Sequence, residues 1–300
     1  MDLQQLQKEI KQLKALASRE PDVKKQADLM KQYHTKALEF LELVSADEKS
    51  RAGMTGLELR EYIKTLPKVP KYEVGINAFD EFLGGFETGL FINLAAESGA
   101  GKTTTVLDIV TNIANSRKSV FFSFEMGKKL LNSKLYKMQV SDKQLENLIL
   151  DFDNSDLDDL VREIELYAYE GIKFFGIDSK MKISVKGNDP EHLKISKISS
   201  ILSKLCAKKD IIIFLINQIS EEDMKSKRLS LKGSGDQKYD ADLLFFLTID
   251  KDSKRWLHCT KNRMSDILFK TEITKKNNTP IVYEFKSDNG CDEFDMPDVF

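Results

Sequence analysis

From residue 72 to about residue 286, short apolar runs alternate with stretches in which apolar residues recur every three or four positions. The run IIIFLI, residues 211–216, has no polar alternation, which is typical of a strand buried on both faces of a parallel sheet. Residues 193–205 carry apolar side chains at helical spacing, which predicts a helix with one buried face. The alternation predicts an α/β fold with a mainly parallel sheet. The predicted strands are Leu90–Ala95, Val120–Phe124, Ile172–Ile177, Ile211–Ile216, Leu243–Ile249 and Trp256–Thr260.

The segments on either side of this pattern differ from it. Residues 2–46 predict two helices broken at Pro21, each with a narrow apolar stripe, and both a hairpin packed on its own domain and an oligomer-forming collar fit that pattern. A polar linker with a short docking helix, Leu57–Leu66, follows, and the chain ends in an acidic tail. The predicted divisions are a helical hairpin over 1–48, the linker over 49–71, the main domain over 72–286 and the tail over 287–300.

Composition limits the possible partners. The 300 residues are 41% hydrophobic and 31% charged, as in an ordinary soluble protein. A net charge of -2 excludes a global positive field, so any nucleic-acid contact needs a local patch or one repeated around an oligomer. The sequence has neither an apolar signal region nor a run of about 18 apolar residues, which predicts a cytoplasmic protein with no membrane partner. Cys206, Cys259 and Cys291 lack metal-ligand spacing and are expected to be reduced.

Residues 96–103, AESGAGKT, form a candidate phosphate-binding loop, with alanine in place of the usual first glycine. The loop follows the run FINLA and opens the helical pattern TTTVLDIVTNIA. Gly99 and Gly101 would let backbone N–H groups curl around a β-phosphate. Lys102 would reach the β- and γ-phosphates and Thr103 would ligate magnesium, so the predicted cofactors are ATP and Mg²⁺. The predicted nucleotide-binding residues are Ala96, Glu97, Ser98, Gly99, Ala100, Gly101, Lys102, Thr103 and Thr104.

Three predicted strands end in side chains that suit this chemistry. Asp178 follows Ile172–Ile177 and would hold the magnesium ion beside the loop, or it could be an ordinary strand-ending aspartate. Glu125 ends another strand and could polarise the attacking water, although a surface glutamate that begins a helix would look the same. The amide of Gln218 could sense the γ-phosphate, or it could simply cap its strand.

From about Val74 to Phe285 the chain resembles the ATPase domain of DnaB-type replicative helicases, whose core is RecA-like. The resemblance rests on GINAFDEFLGGFETGLF before the loop, and then on VFFSFEM, KFFGID and INQIS. It implies that Glu125 is the catalytic base, that Asp178 holds magnesium and that Gln218 is a sensor.

Two later segments extend the resemblance to partners. LSLKGSGDQKYDADLLFFL resembles the family's pore segment and implies that Lys232, Ser234 and Gly235 contact single-stranded DNA. Lys186, in the loop ISVKGND, is a further candidate for that contact. LHCTKNR resembles the strand that reaches the neighbouring subunit's nucleotide and implies catalytic roles for Lys261 and Arg263. The resemblance therefore implies a homo-oligomer, a hexamer in this family.

The chain also departs from the family pattern. SKMK follows Asp178 where the family has Tyr-Leu-Gln, and Gly233 and Lys238 replace glutamates of the pore segment. Most of the family's primase-docking N-terminal domain has no counterpart before the linker. These departures leave the ATPase residues in place and bear on unwinding and primase binding.

Three functions fit these observations. The expected one is an ATP-dependent, ring-forming DNA helicase or translocase that acts on single-stranded DNA in replication. A RecA- or KaiC-like regulatory or recombination ATPase without unwinding activity is the alternative. An interaction protein that keeps nucleotide binding as a structural clamp is the third. The tail CDEFDMPDVF, with the terminal Phe300 as its anchor, could recruit a replication partner, or it could be only a solvated and disordered end.

Overall fold

A computed structural model describes residues 3–48, 53–65, 71–97, 99–219, 240–265 and 267–273. The described residues divide into two compact units, one from residues 1–68 and 162–170 and the other from residues 69–161 and 171–300. The helices are α1 (Leu3–Ala17), α2 (Val23–Glu48), α3 (Gly56–Thr65), α4 (Asn77–Leu83), α5 (Lys102–Ile113), α6 (Lys128–Lys137), α7 (Asp142–Asn147), α8 (Leu157–Tyr169) and α9 (Glu191–Lys209). The strands are β1 (Phe91–Ala96), β2 (Ser119–Ser123), β3 (Leu148–Asp151), β4 (Phe174–Asp178), β5 (Ile212–Gln218), β6 (Leu243–Ile249), β7 (Arg255–Asn262) and β8 (Phe269–Ile273).

The second unit is built on an eight-stranded sheet in the order β3-β2-β4-β5-β1-β6-β7-β8. The strands from β3 to β6 in this order pair in parallel, whereas β7 and β8 are antiparallel additions at one side. The predicted α/β fold with a mainly parallel sheet is thus confirmed. The sequence pattern missed β3 and β8, which are the two edge strands.

Burial explains why the central strands were recognisable. Every residue of β1, β2 and β4 is buried, as the continuous apolar runs predict for strands covered on both faces. On one face, Ile92, Leu94 and Phe214 join the main core cluster together with residues of α5. The buried positions of α9 include Ile195 and Leu202, in the segment predicted to be helical.

A glycine in β4 allows α5 to lie directly on the sheet. A Cβ atom at Gly176 would lie 2.9 Å from Cγ1 of Val106, 3.1 Å from Cγ1 of Val110 and 3.0 Å from Cδ2 of Phe121. The first two atoms belong to successive turns of α5, which opens immediately after the candidate loop. The close approach therefore brings the start of α5 to the strand that ends in Asp178.

The first unit contains the predicted helical pair. Its small core consists of Leu6, Ile10, Tyr33, Ala37 and Leu166. Tyr33 donates a hydrogen bond to Glu170, and Lys14 lies 2.7 Å from the same carboxylate. In α3 no side chain is buried. Residues 162–170, which lie inside the predicted main domain, cluster with this unit. The predicted domain boundaries stay predictions.

Two further expectations from composition can be compared with the structure. No helix in the described ranges is long and apolar enough to cross a bilayer. Cys206 and Cys259 are buried and unpaired by disulfides, whereas Cys291 lies outside the described residues.

The packing at Gly176 generates a stability prediction. We expect Gly176→Ala to lower the free energy of unfolding by about 1–3 kcal/mol, because the added methyl group overpacks a filled core. The measurement is urea-induced unfolding followed by circular dichroism. Gly56→Ala is the matched control, because a Cβ atom there has no neighbour within 4 Å. Equal stability of the two variants would contradict the proposed role of Gly176.

Candidate functional site

The predicted catalytic residues other than Lys261 and Arg263 lie at one edge of the sheet, where the parallel strands have their carboxyl ends. The register places Ala96 of β1 opposite Gln218 of β5, and Ser123 of β2 opposite Asp178 of β4. Glu125 follows β2 by two residues, and the backbone N–H of Phe124 donates to the Asp178 carbonyl oxygen over 2.7 Å. In open α/β sheets, ligands bind outside this edge.

The candidate phosphate loop joins β1 to α5 in a conformation that depends on its glycines. Gly99 and Gly101 have φ values of 82° and 98°, in the region that residues with a Cβ atom seldom adopt. The Lys102 amine donates to the carbonyl oxygens of Ala96 and Glu97 over 2.9 and 2.8 Å. Burial lowers the pKa of Lys102, against the opposing effect of nearby carboxylates. The lysine is therefore held at the mouth of the loop.

The other loop residues follow from this arrangement. Ala100 is buried, and its N–H donates to the Glu97 carbonyl oxygen over 3.3 Å, which closes a tight turn. Thr104 lies half-buried in the first turn of α5. Ser98 falls outside the described residues. The predicted nucleotide-binding role of these residues stays a prediction.

Thr103 and Asp178, the two predicted magnesium ligands, are in direct contact. The Thr103 hydroxyl donates to Oδ2 of Asp178 over 2.6 Å. The other carboxylate oxygen, Oδ1, is buried and has no hydrogen-bond partner among the described residues. Burial raises the pKa of Asp178 to about 6, and the nearby Glu125 also raises it. A hydroxyl beside an unsatisfied carboxylate oxygen is a donor set that suits Mg²⁺.

Glu125 has a partner that the sequence did not predict. The hydroxyl of Ser179 donates a hydrogen bond to Oε1 of Glu125, and Ser179 is only 1% exposed. Ser179 is the first residue of SKMK, the segment that departs from the family pattern after Asp178. The sequence therefore marked this position as unusual, but it did not show that the side chain contacts Glu125. This bond orients the carboxylate of Glu125.

The end of β5 is held by a buried amide pair. Asn217 donates through Nδ2 to Oδ1 of Asn93 over 2.5 Å, which ties β5 to the middle of β1. Gln218, the next residue, is half-buried opposite Ala96, beside the first loop residue. That position suits a γ-phosphate sensor, a role that stays a prediction.

Lys261 and Arg263 lie at the opposite edge of the sheet. Leu243 pairs with Ile92 near the start of β1, and β7 returns so that Lys261 pairs with Leu244. Arg263 contacts Asp242, with Nη1 3.0 Å from Oδ1, just before β6. Neither residue joins the carboxyl-edge cluster of its own chain.

The predicted DNA contacts are only partly described. Lys186 is 70% exposed, and its amine lies 3.3 Å from Asp156 and 3.5 Å from Asp158. The pKa of Lys186 is raised, first by its hydrogen bond with Asp156. Lys232, Ser234, Gly235 and the acidic tail lie outside the described residues.

Comparison with known proteins shows similarity to one family of helicases. Residues 72–168 match the family described as DnaB-like helicase C terminal domain. The replicative DNA helicase DnaB of Treponema pallidum (strain Nichols) is 28% identical over 211 residues, which are 59% of this chain and 48% of that protein. The resemblance to DnaB-like helicases is confirmed. The chain spans about half the length of this curated relative.

Solved structures with this fold include helicase and other ATPase domains. One isolated ATPase domain has a TM-score of 0.61 at 20% identity, and the match covers 76% of this chain and 97% of that one. A DnaB-like replicative helicase, solved to study its interactions with primase, has a TM-score of 0.62 at 19% identity, covering 86% and 78%. A KaiC-like protein of Pyrococcus horikoshii OT3 has a TM-score of 0.57 at 21% identity, covering 72% and 100%. These matches establish the RecA-like ATPase fold.

The raised pKa of Asp178 predicts that this carboxylate destabilises the nucleotide-free protein. Because the folded protein binds the Asp178 proton more tightly than the unfolded chain does, protonation stabilises the folded state. This stabilisation is fully present below pH 3.8, the ordinary pKa of the group, and it is lost as pH rises through about 6. We expect Asp178→Asn to raise the free energy of unfolding at pH 7.5 by up to about 3 kcal/mol, and to have little effect near pH 4.

The measurement is the difference in the free energy of unfolding between variant and wild type. It is determined by thermal or urea unfolding at the two pH values, without nucleotide or magnesium. Taking the difference cancels the titration of groups that do not interact with Asp178. An equal effect at both pH values would contradict the electrostatic origin of the destabilisation.

Proposed function

We propose that this chain is an ATP-driven, ring-forming helicase or translocase that acts on single-stranded DNA in the cytoplasm. One observation carries the proposal. The phosphate loop and its carboxylates occupy one edge of the sheet, whereas Lys261 and Arg263 occupy the other edge of the same sheet. Such a subunit is equipped to contribute two cations to a site other than its own.

Within one subunit, the carboxyl-edge cluster supplies the parts needed for hydrolysis. Lys102 would leave the loop carbonyls for the β- and γ-phosphates. Thr103 and Asp178 would hold Mg²⁺, which neutralises charge on the phosphates. Glu125, oriented by Ser179, would accept the proton of the attacking water.

The second part of the site would come from a neighbouring copy. The six residues of β1 separate the edges by roughly 20 Å, which is too far for Arg263 to reach the phosphates of its own subunit. A head-to-tail interface would place Arg263 and Lys261 of one copy against the γ-phosphate bound by the next. Such an interface gives a ring when the rotation between successive copies closes, and we propose a closed hexamer.

A ring also reconciles DNA binding with the chain's charge. A net charge of -2 gives a single subunit little attraction for DNA. Lys232, with Ser234 and Gly235, would be repeated around a central pore and grip the phosphates of a single strand. The acidic tail that ends in Phe300 would bind a separate replication partner.

A regulatory or recombination ATPase without unwinding activity is the second candidate. It is favoured by the environment of Lys186, whose charge is already balanced by Asp156 and Asp158 rather than left for a DNA phosphate. In that case the ring would change its assembly state with the nucleotide and would not grip a strand.

ATPase turnover with and without single-stranded DNA tests the proposal and separates the candidates. We expect stimulation by DNA for a helicase, basal turnover for a regulatory ATPase and none for a structural clamp. Glu125→Gln should keep ATP binding while turnover falls by about two to four orders of magnitude, because the water loses its base. Normal turnover in this variant would place the base elsewhere.

A mixing experiment tests the trans role of Arg263. Arg263→Ala subunits should bind ATP and hydrolyse it poorly, since they lack the cation that stabilises transition-state charge. Lys102→Ala subunits keep Arg263 but cannot use their own phosphate loop. Mixing the two inactive proteins should restore part of the turnover.

The matched control is a subunit that carries both Lys102→Ala and Arg263→Ala. It should restore nothing, because it has no cation to donate. Equal turnover in the two mixtures would show that Arg263 does not act across a subunit boundary.

A further inference from the structure

The first residue of β7 is an arginine that lies at the edge of the sheet that carries the candidate phosphate loop. Arg255 is the first residue of β7 and pairs with Ile249, the last residue of β6. The carboxyl half of β6 runs beside the end of β1, where Leu247 pairs with Ala96. The turn between β6 and β7 therefore brings Arg255 to the edge that carries the phosphate loop.

The Arg255 side chain lies against the backbone of that loop. A Cβ atom at Gly101 would be 3.0 Å from Nη1, 3.2 Å from Cζ and 3.5 Å from Nη2 of Arg255. All three distances involve the guanidinium itself and not the aliphatic stem. Because Gly101 has no side chain, the charged group packs on the residue immediately before Lys102.

The charge of Arg255 is not balanced within the described part of the chain. Its guanidinium makes no hydrogen bond or ion pair with any described residue, although the side chain is half-buried. Asp250, the nearby acid of the same turn, instead accepts from backbone N–H groups and from Nε1 of Trp256. Arg263, at the other end of β7, has Asp242 as its partner. A half-buried cation without a carboxylate is costly unless an anion binds beside it.

We propose that Arg255 binds the α- and β-phosphates of the nucleotide held by its own subunit. The proposal rests on the proposed ATPase function and adds a residue to its binding site. In a phosphate loop the backbone N–H groups cradle the α- and β-phosphates, whereas the lysine reaches toward the γ-phosphate. A guanidinium packed on Gly101 lies at the first of these positions and presents its planar fork of donors to phosphate oxygens.

Arg255, which begins β7, and Arg263, which follows its last residue, therefore have separable roles. Arg255 acts within a subunit on the part of the nucleotide that ADP and ATP share, so it determines affinity for both. Arg263 acts between subunits on the γ-phosphate, so it determines turnover.

The test is the dissociation constant of a fluorescent ADP analogue, with inorganic pyrophosphate as a competitor that lacks base and ribose. We expect Arg255→Ala to weaken ADP and pyrophosphate by about tenfold each, and Arg255→Lys to restore part of the loss. The matched control is Lys254→Ala, which removes one positive charge from the neighbouring exposed residue. It should change both constants by less than about twofold, because an exposed charge is screened by solvent.

Each result has a distinct meaning. Unchanged ADP affinity in Arg255→Ala, or a loss equal to that in Lys254→Ala, would overturn the proposal and leave the ATPase assignment intact. Weaker ADP binding with unchanged pyrophosphate binding would place the guanidinium on the base and overturn the phosphate assignment. A wild-type protein that binds neither probe would overturn the nucleotide site itself. Arg255→Gln, which keeps a polar side chain over Gly101, should repeat the loss if Arg255→Ala proves unstable.

Discussion

The close packing of α5 on β4 at Gly176 is the constraint on which the site depends. A phosphate loop and a magnesium-binding acid can act on the same nucleotide only if the first turn of the helix after the loop lies close to that acid. The absence of a side chain at Gly176 lets Val106 and Val110 rest on the strand, and Thr103 then meets Asp178 at 2.6 Å. A larger residue would separate the helix from the sheet and enlarge this distance.

The same packing produces a site that is electrostatically strained without its ligands. Burial raises the pKa of Asp178 to about 6 and leaves one of its oxygens without a partner among the described residues. Burial also lowers the pKa of Lys102, which turns to backbone carbonyls. Each group is stabilised in its charged form by an ion of opposite sign, so Mg²⁺ and a polyphosphate would relieve both costs together. A site with this balance is expected to bind the metal and the nucleotide cooperatively.

Strand direction decides which edge of the sheet Arg255 and Arg263 reach. Because β7 is antiparallel to β6, β7 begins at the edge where the parallel strands end, and its last residue lies at the opposite edge. Arg255 consequently meets the loop of its own chain, whereas Arg263 remains at the far edge beside Asp242. In the proposed ring, this one strand would connect a subunit's own nucleotide site to the surface that faces the next copy.

Local patterns were sufficient to predict six of the eight described strands, the loop and the carboxylates at the strand ends, because burial on both faces and the glycine-rich loop leave signals within a few residues. They did not predict the edge strands β3 and β8, because β3 has only four residues and β8 carries polar side chains between Phe269 and Ile273. Nor did they predict the bond from Ser179 to Glu125 or the position of Arg255 on Gly101. Those contacts join residues far apart in sequence, so they exist only once strand order and register have been decided by the packing of the whole sheet.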